Sequence, residues 1–254
     1  MCQIRSVFLT VQRRVPTWSQ LGKANMMTKD QSLQLLLNLV EQVKTAETDD
    51  FFALSQIAGL NPLRDFSEAN LSGIDLRSKN MARADLIEAT LVGASLISTN
   101  FTEARLISSN LTHANLTDAT LTGAMLINAD LSGAILVNAT LDSANLTGAI
   151  LTDAKLSYAD VRRSTMTSAN LNGTKLSETN LSYANLRRAH LMNSDLSGAS
   201  LYGADLTGAD LRGAILSDAD FISAKVERTR FNDPRWFSRE TKRDLMQRGA
   251  IFEA

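Results

Sequence analysis

Apolar side chains recur at every fifth position through most of this chain. The series runs from Phe66 to Phe231, fills 34 consecutive positions without insertion or deletion, and is mostly leucine. A second series, of small residues, stands two positions before each member of the first except Phe66, and alanine fills 24 of its 33 places. Serine or threonine fills seven more, and only Ile74 and Lys79 depart from the pattern. The segment Ala204–Gly208, with the sequence Ala-Asp-Leu-Thr-Gly, shows the unit.

A period of five excludes both continuous regular structures. In an α-helix, five residues end about 140° away from the starting direction, so the leucines would spread around the helix rather than form a stripe. In a strand, side chains alternate between faces, and an odd period would send successive leucines to opposite sides. The backbone must therefore turn once in every repeat. The Gly, Ser, Asp and Asn residues that often stand two positions after each leucine suit such turns.

The Ala-(Asp/Asn)-Leu-x-x unit resembles that of the pentapeptide-repeat family, and the resemblance covers residues 66 to 231. It implies an all-β solenoid, a right-handed quadrilateral parallel β-helix with four repeats in each coil. Residues 20 apart should then lie one above another, and the rod should be roughly 40 Å long at about 4.8 Å per coil. The segments Asp50–Phe66 and Lys242–Phe252 are similar to those of cyanobacterial members.

The sequence divides into four predicted parts. Residues 1–27 are expected to be a disordered tail, or to precede a true start at Met26 or Met27. Residues 28–62 should form a helical N-terminal cap, residues 63–233 the repeat β-helix, and residues 234–254 a helical C-terminal cap. Caps are expected because a solenoid otherwise exposes strand edges at both ends.

Helical spacing and capping residues place three helices in these caps. The first contains Leu33, Leu36, Leu37, Val40 and Val43, with Asp30 as its N-cap. The second runs from Asp50 to Ala58 and stops at Gly59. The third begins at Ser238 and ends near Arg248, before Gly249. The apolar residues of the C-terminal part should cover the last coil; these are Trp236, Phe237, Leu245, Met246, Ile251 and Phe252. The alternative is a tail-to-tail homodimer through this segment, as gyrase-inhibiting members of the family form.

The residues offer no catalytic or cofactor-binding motif. Two histidines, His113 and His190, occupy outward positions of the repeat without a second ligand at metal spacing. Carboxylates such as Asp205 and Asp210 point outward on successive faces and do not converge. The sequence therefore predicts no enzyme activity, no metal and no cofactor. With Cys2 as the single cysteine, a reducing, cytoplasmic location is favoured.

Charge argues against nucleic acid and membrane partners. The net charge is −1, and no apolar stretch is long enough to span a bilayer. Some family members mimic DNA and inhibit DNA gyrase, which is the alternative function for this chain. A mimic about 40 Å long needs more than about 20 negative charges, at one per about 1.7 Å of DNA axis. Residues 61–233 carry a net charge of only −4. The favoured function is a protein–protein interaction or scaffold module whose partner is an unknown protein.

The 20-residue register predicts one candidate binding patch. Arg163 should lie beneath Tyr183, and Arg162 beneath Ser182 and Tyr202. The patch consists of Arg162, Arg163, Tyr183, Arg187, Arg188 and Tyr202. Arginine and tyrosine are enriched at binding hot spots, and an arginine over a tyrosine ring gains cation–π energy of about 0.5–1 kcal/mol. The alternative is that arginine merely covers a tyrosine ring on a solvated face.

Overall fold

The structure, a computed structural model, describes residues 38, 41–43, 45–48, 50–232 and 234–253. The repeat forms the predicted turns. In each repeat the residue of the leucine series is buried, and its carbonyl accepts a hydrogen bond from the N–H three residues later, as Ala104 donates to Phe101 over 2.9 Å. The third turn residue has a positive φ, as at His113 (57°). One turn therefore closes each five-residue repeat.

Successive coils pair in parallel at a spacing of 20 residues. The bridges begin with Asn70 opposite Thr90 and continue without interruption to Asp210 opposite Arg230. Since the chain turns every five residues and returns after 20, each coil has four sides. We number the sides by their bridge residues: face 1 carries 70 to 230, face 2 carries 75 to 215, face 3 carries 80 to 220, and face 4 carries 85 to 225. Each corner takes the number of the face that precedes it.

The leucine series and the alanines of the small series point into the rod and form one continuous core. Hydroxyl residues in the small series are buried as well, and most donate to backbone carbonyls. Thr174 donates to the carbonyl of Leu151 over 2.8 Å, and Ser194 donates to that of Leu191 over 2.7 Å. These bonds satisfy polar groups that would otherwise be costly inside the core. Ser164 is the exception among the described residues, because its buried Oγ has no partner.

The N-terminal end is closed by helix α1 (Phe51–Ile57). Asp50 caps it by accepting a hydrogen bond from the N–H of Ala53, and Gly59, the predicted end of the helix, follows with a φ of 69°. The ring of Phe51 packs on Phe66, the first residue of the leucine series, with centroids 4.8 Å apart. The earlier predicted helix lies largely outside the described residues, although Asn38, residues 41–43 and Thr45 are helical and Val43 is buried.

The two exceptions in the small series lie at this end. Ile74 is buried in the core of the first coil. Lys79 is half-buried rather than inside the core. Its ammonium forms an ion pair with Asp50 and lies 5.8 Å from the ring centroid of Phe52. Lys79 therefore joins the first coil to the cap.

The C-terminal part folds back onto the last coil. Strand β1 (Arg230–Phe231) is followed by a 3₁₀ turn (Pro234–Trp236), helix α2 (Arg239–Gln247) and strand β2 (Ile251–Phe252). Ser238 caps α2 through the N–H of Thr241, as predicted. Strand β2 pairs in parallel with β1 and continues face 1, but Ile251 lies opposite Arg230, 21 residues away instead of 20. The tail thus replaces one side of a further coil.

Aromatic packing and an arginine secure this cap. The ring of Phe237 packs edge-on against Phe221, Phe231 and Phe252, with centroids 5.6 to 5.8 Å apart. Arg248 donates from Nη1 to the carbonyl of Ala224 over 2.8 Å and to that of Phe221 over 3.3 Å. Leu245 is buried, whereas Met246 and Ile251 are exposed, so the prediction that these two cover the last coil is wrong.

The cap covers the last coil unevenly. Face 1 is paired with β2, and the Ala224 carbonyl that precedes the last bridge residue of face 4 is bound by Arg248. On faces 2 and 3, the N–H groups of Leu216 and Phe221 and the carbonyls of Ala214 and Ala219 have no hydrogen-bond partner within the described part of the chain. The C-terminal end therefore keeps an open strand edge on two adjacent faces.

No helix among the residues that the structure describes is long and apolar enough to cross a membrane.

Candidate partner-binding surface

The register places the predicted patch on two neighbouring corners. Arg162, Arg163, Tyr183 and Tyr202 lie on corner 3, and Arg187 and Arg188 lie on corner 4. Face 4 separates the two groups. The predicted vertical order, with Tyr202 two coils above Arg162, follows from the parallel bridges between residues 160, 180 and 200.

The two tyrosines form an exposed aromatic pair. Their ring centroids are 5.5 Å apart at an interplanar angle of 84°, an edge-to-face arrangement. Tyr183 is 60% exposed and Tyr202 is 38% exposed. The Tyr183 ring also lies over Gly203 of the next coil, where an added Cβ would come within 2.8 Å of the ring. Desolvation, together with the neighbouring Tyr202, raises the pKa of Tyr183 above its ordinary value.

Three of the four arginines are paired with carboxylates of the rod. Arg162 binds Asp160 through Nη2 over 2.6 Å, and this bond holds the pKa of Asp160 below its ordinary value. Arg163 binds both carboxylate oxygens of Asp142, at 3.0 and 2.6 Å.

On corner 4, Arg187 reaches Asp205 over 3.3 Å. Arg188 is exposed and makes no ion pair with any described residue. The patch is therefore close to neutral rather than strongly basic.

The expected stacking of arginine on tyrosine is wrong. The Arg163 guanidinium is held at Asp142, which lies 21 residues earlier, while Tyr183 turns toward Tyr202. Within the described residues, the cation–π contacts are those of Lys79 with Phe52 and of Lys242 with Phe252. A bidentate bond between charged groups is stronger than an exposed cation–π contact, which explains the choice.

One apolar side chain extends this surface beyond the predicted residues. Ile222 lies one coil above Tyr202 on corner 3 and is 63% exposed. We call Tyr183, Tyr202 and Ile222 together the tyrosine ridge. The 20-residue register contained the signal for Ile222, because positions 202 and 222 occupy the same place in successive coils.

The other candidate groups lie apart from the ridge. His113 and His190 are both exposed, as predicted. Asp210, predicted to point outward, is covered by Arg212 and Arg230 and is therefore buried. Glu253 of the tail joins this group by binding Arg230 over 2.6 Å and Arg212 over 3.1 Å. The four charges attach the C-terminal tail to face 1.

Comparison with known proteins agrees with the repeat geometry. The family model of pentapeptide repeats matches in eight copies, over residues 65–102, 99–136, 136–167, 169–208 and 194–233. The comparison with curated proteins finds no match.

The solved structures that are similar to this chain include HetL and QnrB1. HetL, a pentapeptide repeat protein involved in heterocyst differentiation regulation in the cyanobacterium Nostoc sp. strain PCC 7120, is 30% identical. The match covers 63% of this chain and 84% of HetL, with a TM-score of 0.42. QnrB1, a plasmid-mediated fluoroquinolone resistance protein, is 17% identical over 75% of this chain and 95% of its own, with a TM-score of 0.47. The family model covers well over half of the sequence, and the chain belongs to the pentapeptide-repeat family.

Proposed function

We propose that this protein is a non-catalytic interaction or scaffold module that binds a protein partner through the tyrosine ridge. Family membership supports a rod without an active-site cleft. The same membership implies the right-handed sense of the coil. The single Cys2 supports a reducing compartment such as the cytoplasm. We also propose the division into a tail (1–27), an N-terminal cap (28–62), the repeat domain (63–233) and a C-terminal cap (234–254).

The observation that carries the proposal is the exposure of large apolar surface on a rigid support. Tyr183, Tyr202 and Ile222 occupy successive coils of one corner. At the two tyrosines the backbone is bonded to the coils on either side, and Ile222 is bonded to the coil below through its carbonyl. Tyrosine contributes much contact area at low entropic cost, because it has few rotatable bonds and these are already restricted by packing. The neutralised arginines around the ridge favour a protein surface over a nucleic acid.

The proposal is tested with one double variant and one matched control. Tyr183→Asn with Tyr202→Ser removes the ridge aromatics, and asparagine tolerates the positive φ of position 183. Tyr158→Asn is the control, since Tyr158 is 64% exposed and has a φ of 63° at the same turn position, but lies on corner 2. Each full-length protein is used for affinity purification from native cells, followed by quantitative mass spectrometry.

A partner that depends on the ridge should be depleted about tenfold or more with the double variant, as expected for loss of two aromatic anchors, and retained with Tyr158→Asn. Circular dichroism verifies that all variants keep the fold. Equal recovery of every partner with the three proteins would refute the assignment of function to the ridge.

A further inference from the structure

The open strand edge on face 3 lies beside a groove. Residues of the last coil, Ala219 to Ser223, form one wall, and Glu240, Thr241, Asp244 and Arg248 of the C-terminal cap form the other. The groove has a volume of about 590 Å³. Helix α2 thus stands next to the unpaired edge without covering it.

The coil below shows how this edge is normally used. There the carbonyl of Ala199 accepts from the N–H of Asp220 over 3.0 Å, and the N–H of Leu201 donates to the carbonyl of Asp220 over 2.8 Å. The N–H of Gly203 then donates to the carbonyl of Ile222 over 2.9 Å. Three backbone groups of one coil thereby hold two residues of the next, Asp220 and Ile222.

The equivalent three groups of the last coil have no partner among the described residues. They are the carbonyl of Ala219 and the N–H groups of Phe221 and Ser223, none of which is bonded to any described residue. In the groove wall, the buried Nε of Arg248 also finds no acceptor in the part of the chain that the structure describes. Unpaired backbone donors and acceptors in register form a template for an additional parallel strand.

The charges beside the edge define what strand would fit. Asp220 and Glu240 make no ion pair within the described part of the chain, whereas Asp244 is neutralised by Arg248 over 2.6 Å. Every bridge residue of face 3 points its side chain outward above its predecessor, so the incoming residue would lie directly above Asp220. A lysine or arginine at that position would be complementary in charge to Asp220 and Glu240, which both line the groove.

We infer that this groove binds an extended segment of a partner protein, which adds a parallel strand to face 3 and places a basic side chain between Asp220 and Glu240. The N–H of the basic residue donates to Ala219, and its carbonyl accepts from Phe221. The carbonyl two residues later accepts from Ser223. This groove adjoins the tyrosine ridge at Ile222, but neither tyrosine lines it, and strand binding does not depend on the function proposed for the ridge.

The test uses a defined peptide with the full-length protein. The probe is acetyl-Ser-Ala-Lys-Leu-Thr-Gly-Ala-amide, in which lysine takes the place above Asp220. Titration into ¹⁵N-labelled protein should shift the amide resonances of Phe221 and Ser223. Two control peptides are used. One carries glutamate in place of the lysine. The other carries a methyl group on the backbone nitrogen of the lysine, which removes the hydrogen bond to the Ala219 carbonyl. Each should bind at least about fivefold more weakly.

Protein variants test the charge requirement independently. The pair Asp220→Asn and Glu240→Gln should weaken binding of the lysine peptide about fivefold, since each removes one exposed ion pair. Asp220 also accepts a bond from the N–H of Ile222, and asparagine keeps that acceptor. Asp130→Asn is the matched control, because Asp130 is a bridge residue with the same type of turn bond, in the middle of face 1, and should leave binding unchanged.

Several results would overturn the inference. These are no binding at millimolar peptide, binding that the N-methyl group leaves unchanged, and shifts that omit Phe221 and Ser223. Protection of those two amides that grows with protein concentration in the absence of peptide would instead assign the edge to a second copy of this chain.

Discussion

Replacing Gly203 with alanine should test how tightly the tyrosine ridge is built into the rod. Gly203 has a φ of 65°, and an added Cβ would lie 2.8 Å from two ring atoms of Tyr183. Gly93 has a nearly identical φ of 63° and nothing within 4 Å of its added Cβ. The two substitutions therefore share the backbone strain and differ in the ring contact.

The magnitudes follow from these two contributions. Alanine in the left-handed region costs about 1–2 kcal/mol, so Gly93→Ala should lower the free energy of unfolding by about that amount. Gly203→Ala must also displace the Tyr183 ring and disturb its edge-to-face contact with Tyr202, which contributes about 0.5–1.5 kcal/mol. We expect Gly203→Ala to be the more destabilising by about 1 kcal/mol.

Equilibrium urea unfolding followed by circular dichroism measures both variants, and constant m values confirm that the comparison is valid. In a Tyr183→Asn background, the cost of Gly203→Ala should fall to that of Gly93→Ala, since the obstructing ring is gone. If the two glycine variants agree within about 0.5 kcal/mol, or if the cost does not change in the Tyr183→Asn background, the ring does not pack on Gly203 as described.

Three further predictions concern the core, the cap and the function. Leu146→Ala, in the middle of the rod where the side chain is fully buried, should cost about 2–5 kcal/mol in urea unfolding. The pKa of Asp210 is lowered mainly by its bond to Arg212, and that of Glu253 mainly by its bond to Arg230. Because the folded-state pKa values are depressed, this stabilisation is present above the ordinary carboxyl range and is lost as pH falls below about 4. The Tm should therefore drop on acidification from about pH 5 to 3, and drop less in Glu253→Gln. Finally, the protein should leave supercoiling by DNA gyrase unchanged at micromolar concentration, because its acidic groups are sparse and several are paired with arginine; inhibition would favour the DNA-mimic alternative.

The repeat geometry could be predicted from sequence because a single constraint is imposed 34 times. Each leucine must reach the core and each turn must follow it. The four repeats per coil that the family resemblance implies then place Tyr202 above Arg162. The helix at Phe51–Ile57 could be predicted as well, because Asp50 and Gly59 are residue types that commonly begin and end helices.

Side-chain choices at the corners were not predictable in the same way. The register places both Tyr183 and Asp142 near Arg163. It does not show which of the two contacts is the lower in energy. The return of Ile251 and Phe252 as a strand was missed because two residues give no periodic signal and enter one residue out of step. The open edge on face 3 was missed for a related reason, since it depends on where the cap ends rather than on the repeat.

Because four repeats complete one coil, the number of repeats also determines the angle by which the C-terminal cap is rotated about the rod axis relative to the N-terminal helix. Insertion or deletion of one five-residue repeat would rotate everything beyond it by about 90° relative to the N-terminal helix. A change of 20 residues would restore the alignment and alter only the distance. A partner that binds both ends would therefore accept rods whose lengths differ by whole coils and reject rods of intermediate length. For such a partner, natural variation in repeat number should come in multiples of four.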